Sequence, residues 1–131
     1  MLPTERSFTK LFMTPDQAQE HLHLEEPDAR LNLGVTVFNK ETGKSAIIIN
    51  SLLPSSIQKI VLEQESVQLQ MIQSYLDGRP GRSMEDIMPY AHYEGLDAAV
   101  SLAKQLGVLD DFLKIRGLGE TEESIRLALR P

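Results

Sequence analysis

The residues best equipped for chemistry are few and scattered. His21 and His23, followed by Glu25, Glu26 and Asp28, form the densest cluster of metal-ligand types. A zinc-like ion needs imidazoles and carboxylates converging within about 2 Å of one point. Residues two apart on a helix diverge by about 200°, so the two histidines cannot share an ion while that segment is helical. A solvated acidic helix end accounts for the cluster, and neither a metal nor another cofactor is expected. Tyr90, His92 and Tyr93 form a second group whose imidazole could do acid–base work. The sequence places no nucleophile or orienting carboxylate beside it, and an aromatic corner packed on the core explains it more simply.

Thr42-Gly43-Lys44-Ser45 ends like a phosphate-binding loop, but Phe38 stands where that motif requires its first glycine. A loop that leads into a strand also has the wrong flanks, so nucleotide binding is rejected. The nucleophile elbow, the glycine-rich dinucleotide loop and the HExxH pair are missing as well. No catalytic residue is assigned. An enzyme of unfamiliar type is kept as an alternative, with His92 and Tyr93 as its candidates.

The remaining chemistry is basic. Gly78-Arg79-Pro80-Gly81-Arg82-Ser83 reads as a loop in which two arginines could grip phosphate or carboxylate. Lys40 and Lys44 flank a hairpin tip. Together these four groups support an alternative, a nucleic-acid-associated regulator, with a logarithmic salt slope of about −0.9 per neutralised phosphate. The net charge of −6 works against nucleic-acid binding through the whole surface.

The elements that must position these residues follow from periodicity. Leu31, Leu33, Val35 and Val37 alternate with polar residues, as in a half-buried strand. Ala46-Ile47-Ile48-Ile49 does not alternate, which predicts a strand covered on both faces. The expected fold is α+β and mostly helical: an antiparallel hairpin, 31–39 and 44–50, packed on a long central helix, 55–77, with several shorter helices. Ser55 and Gln58 are the expected capping box of that central helix. On a helical wheel its apolar residues, from Val67 round to Leu62, fill an arc of about 220°, where a surface helix needs little more than about 100°. It is therefore either the central post of the domain or half of a subunit interface. Gln64 and Gln68 lie inside that arc; neighbouring backbone satisfying their amides is the simpler reading, and pairing across a symmetric contact that sets its register is the sharper one.

Shorter helices are predicted over 4–13, from Thr14-Pro15 to before Pro27, from Ser83 to Pro89, and over 94–106 up to Gly107. Two more are expected, one capped by Asp110 and a last one after Thr121. Residues 90–93 read as a connector. No third strand is expected, which leaves strand edges for another chain to pair with.

The 131 residues read as one domain spanning 1–131, with 41% hydrophobic and 24% charged residues, as in soluble globular proteins. With no cysteine there is no disulfide or thiolate chemistry, which suits a reducing, cytoplasmic setting. No segment approaches the roughly 20 apolar residues of a membrane span, and the start lacks a signal-peptide core. The leading expectation is a non-catalytic protein–protein interaction module: a small regulator, adaptor or inhibitor, of the kind phages and plasmids carry, acting on a larger protein or forming a homodimer.

Overall fold

A computed structural model describes residues 8–38, 44–77 and 79–116 of the chain. In chain order its elements are β1 (Thr9–Met13), α1 (Pro15–His21), a 3-10 helix (Ala29–Asn32), β2 (Gly34–Phe38) and β3 (Ser45–Asn50). Three helices follow: α2 (Ser55–Leu76), α3 (Met84–Gln105) and α4 (Leu109–Ile115). The architecture is α+β and mostly helical.

The run of isoleucines in β3 dictates the layering. Consecutive residues of a strand face opposite sides, so Ile47 and Ile49 need cover on one face and Ile48 on the other. Ile47 and Ile49 pack on Ile57, Ile60, Val61 and Leu69 of α2. Ile48 packs with Ala18 of α1 and Leu31, joined by Leu11, Met13, Val35 and Val37. β3 is central, with β2 antiparallel to it on one side and β1 parallel on the other.

The third strand corrects the sequence reading. Phe8, Leu11 and Phe12 have helical spacing, but Leu11 and Met13 also alternate onto one face, and over five residues both periods fit. The vacant edge of β3 decides between them, because its backbone groups need partners inside a covered sheet. The strand predicted over 31–39 is also shorter. Asp28 caps the 3-10 helix by accepting the Arg30 N–H at 2.9 Å, which draws Leu31 out of the strand while keeping it buried.

The broad arc of α2 is explained within the chain. One side meets the sheet; the other meets Leu96, Ala99, Val100 and Ala103 of α3, with Phe112 of α4 closing the core. Small residues bring the two helices close. A Cβ added to Gly95 would lie 2.6 Å from Gln68 Cγ and 2.8 Å from the Gln64 carbonyl oxygen.

Four helix boundaries differ from expectation, the first being that α1 ends at His21, with Leu22 as its cap, well before Pro27. α2 is capped by Pro54 without a side-chain bond. Gln58 turns its amide back to the carbonyls of Leu53, at 2.7 Å, and Ser51, at 3.2 Å, so it secures the preceding turn instead of a capping box. α3 runs unbroken through Pro89 and carries Tyr90, His92 and Tyr93. Pro89 is exposed and near the helix start, so water can serve the Glu85 carbonyl it leaves unpaired. α4 starts at Leu109, ahead of Asp110, with Val108 as its cap. The capping box of α1 matches its prediction: Gln17 N donates to Thr14 Oγ1 at 3.2 Å and Thr14 N to Gln17 Oε1 at 2.9 Å. The predicted last helix and the hairpin tip lie outside the described residues.

Among the described residues no helix is long and apolar enough to cross a membrane. Two substitutions test this packing by chemical denaturation. Gly95→Ala is expected to lower stability by about 1–2 kcal/mol, because overpacking outweighs the helix-propensity gain of alanine. Unchanged stability would mean that α2 and α3 do not approach this closely. Pro89→Ala is expected to raise stability by about 1–3 kcal/mol by restoring a helical hydrogen bond; a loss would show that the ring makes an essential contact.

Candidate functional site

The candidate site begins with the hydrogen bonding of β2. Asn50 N donates to Leu33 O at 2.9 Å, so the Leu33–Asn50 pair is a hydrogen-bonded one. Such pairs alternate along an antiparallel ladder. Given the register Val35–Ile48 and Val37–Ala46, Val35 and Val37 turn their backbone groups to β3. Gly34, Thr36 and Phe38 turn theirs outward. Among the described residues no strand pairs with that outer edge. The same three residues face α2, because Val35 and Val37 belong to the α1 side of the sheet.

Beside this edge runs a cleft with α2 as its floor and the first half of α3 as its far wall. It has two adjoining lobes of about 280 and about 210 Å3, which share Arg30, Gly34, Glu65, Gln68 and His92. The larger lobe adds Phe38, Ile72, Met84 and Met88. The smaller adds Leu33, Val61, Gln64 and Arg116. Arg30 borders both lobes, so the ends differ by the Phe38, Ile72 and methionine side chains of the larger and by Arg116 in the smaller.

Glu65 sits between the ends. Its Oε2 accepts the Thr36 hydroxyl at 2.9 Å. Burial pushes its carboxyl above the ordinary glutamate range; the Thr36 bond and the charges of Arg116 and Arg30 oppose that rise. On the opposite wall, burial pushes the His92 imidazole down, with the Arg116 charge adding to the effect. Both side chains are thereby biased toward their neutral, hydrogen-bonding forms. Arg116 Nη1 donates to Gln64 Oε1 at 3.2 Å, and its guanidinium lies 5.8 Å from the centre of the Phe112 ring. Arg30 is held by Asp28 through an Nη2–Oδ2 contact of 2.6 Å. Its hydrogen bonds hold the Asp28 carboxyl below the usual range.

Only some of the residues singled out from the sequence meet here. Gln64 and Gln68 line the cleft and touch Gly95 of α3. His92 is in the far wall. Arg79, Arg82 and Lys44 do not line it. Arg82 Nη1 donates to the Tyr75 carbonyl at 3.3 Å and stacks 4.6 Å from that ring, securing the end of α2. Arg79 and Lys44 are exposed, and Lys40 lies outside the described residues. His21 ends α1, while His23 takes a left-handed φ of 56° in the turn that closes the helix.

Sequence reasoning missed Thr36, Glu65, Arg30 and Arg116. A signal existed for one of them. On the wheel Glu65 falls about 80° from Ile57, between Ile72 and Leu69 and well inside the apolar arc. A carboxylate in that position has to be either paired or neutral.

The raised carboxyl has a testable consequence. A folded-state pKa above the unfolded value near 4.5 stabilises the fold below that pH, and the benefit is lost as pH rises through the folded value. Glu65→Gln keeps an acceptor for Thr36 and cannot ionise. Its stability relative to the parent chain is expected to improve in paired denaturation curves as pH rises above about 4.5, until Glu65 ionises in the folded parent. A pH-independent difference would show that Glu65 is solvated.

Compared with protein-family models, with curated proteins and with solved structures, the chain matches none.

Proposed function

We propose that the protein is a non-catalytic protein–protein interaction module, a small regulator, adaptor or inhibitor acting on a larger protein, and that it works in the cytoplasm. The outward-facing edge of β2 beside the graded cleft carries this reading. An edge strand supplies main-chain donors and acceptors in a row, and an adjacent groove supplies side-chain selectivity. The sheet and α3 already cover the wide face of α2, which removes the main motive for self-association through that helix.

Two rival classes have less support. An enzyme of unfamiliar type could use Glu65 and His92 with the Thr36 hydroxyl that donates to Glu65, but among the described residues no further group orients His92. Arg82, on which nucleic-acid binding through the Arg79–Arg82 loop would draw, already donates Nη1 to the Tyr75 carbonyl and stacks on that ring.

Photo-cross-linking tests the reading. A benzophenone amino acid replaces Met88, in the cleft wall, and in a control replaces Glu20, on exposed α1. Irradiation in host cells is expected to give a discrete protein adduct from position 88 and none from position 20. Equal labelling from both, or no adduct from position 88, would count against an interaction site at the cleft.

A further inference from the structure

The cleft beside β2 narrows the nature of the segment that could bind there. Building on the interaction reading, we infer that the segment is an extended stretch of another protein that pairs with β2. It places an acidic side chain at the Gly34 end of the cleft and an apolar side chain, four residues away, at the Phe38 end.

Backbone geometry sets the spacing. Outward groups at Gly34, Thr36 and Phe38 would pair with a strand about 4.8 Å away. Residues directly opposite one another across a ladder project to the same face. Every second residue of the added segment would therefore point into the cleft, opposite Gly34, Thr36 and Phe38 in turn. The first and third such positions are four residues, or about 13 Å, apart, which matches the five residues of β2.

Chemistry sets the side chains. At the Gly34 end lie Arg30 and Arg116; Nε and Nη2 of Arg30 already hold Asp28 and Nη1 of Arg116 donates to Gln64, so an added carboxylate would meet the outer Nη donors of Arg30 and the positive field of both groups. Asp28 offsets part of the Arg30 charge, while burial disfavours a second negative charge on Glu65. At the Phe38 end lie Ile72, Met84 and Met88, and methionines adapt to varied apolar shapes. Between them, Thr36 and Glu65 face His92, a setting for a small hydroxyl-bearing side chain.

Short peptides test the assignment without altering the protein. The probes are N-acetylated, C-amidated Thr-Asp-Thr-Ser-Thr-Leu-Thr and its reverse, which cover both strand directions. They are titrated into the isotope-labelled full chain and followed by NMR. One order is expected to shift the amides of Gly34, Thr36 and Phe38 together with the methyls of Met84 and Met88. Replacing its aspartate by asparagine is expected to weaken binding about tenfold or more. N-methylating the peptide amides that face β2 is expected to abolish the shifts.

Equal binding of the asparagine peptide would overturn the acidic requirement, and equal binding of the N-methylated peptide would overturn strand addition. If neither order binds while position 88 still captures a partner in cells, this inference fails and the interaction reading stands. If position 88 captures nothing, the reading beneath it fails. A doubled mass of the free chain, with a β2–β2 contact seen by NMR, would assign the edge to a second copy and overturn the inference.

Discussion

Three consecutive isoleucines, Ile47 to Ile49, have to be hidden on both faces of one strand, and most of the architecture follows from meeting that demand. Each enclosed side chain contributes about 1.5–3 kcal/mol relative to exposure, so leaving either face open would consume much of the marginal stability of a domain this size. α2 covers one face, and α1 with the 3-10 helix covers the other. A strand buried on both faces must also have both edges paired, which places β1 and β2 on its flanks. The outer edges of β1 and β2 are what remains, and only β2 has the cleft beside it.

That cleft results from packing requirements that pull in different directions. α3 is drawn tightly onto α2 near Gly95 by small residues, yet its first half stands off from β2. The space between is lined by side chains from four helical or strand elements and the residue after α4. Polar groups that would be costly in a closed core remain there, supported by one another: Thr36 on Glu65, Gln64 on Arg116, Asp28 on Arg30. A surface needed only for stability would be better filled with apolar residues. Their retention beside outward-facing main-chain groups is the physical basis for reading the cleft as a recognition site.

The central layer was legible in the sequence because it depends on local pattern. The isoleucine run announced a strand covered on both faces, and the 220° arc announced a helix covered on two sides. Thr14-Pro15-Asp16-Gln17 announced the start of α1. What failed depended on distant partners. β1 exists because β3 needs a neighbour, and a five-residue stretch carries too little periodicity to show that by itself. Pro89 looked like a helix end because its tolerance depends on exposure at that position. The site was the least legible part: Arg30, Thr36, Glu65, His92 and Arg116 come from segments up to 86 residues apart (116 − 30) and meet only in the folded chain. Glu65 alone advertised itself, as a carboxylate inside an apolar arc.

Recognition at the cleft requires the edge of β2 to be open, and amide hydrogen exchange of the free protein measures that directly. Val35 and Val37, bonded to β3, are expected to exchange slowly, while Gly34, Thr36 and Phe38 exchange faster by about two orders of magnitude. That alternation would establish a row of donors facing solvent and ready for a partner strand. Uniform protection along all five residues would mean that another segment or another copy already occupies the edge, and the recognition surface would have to be sought elsewhere.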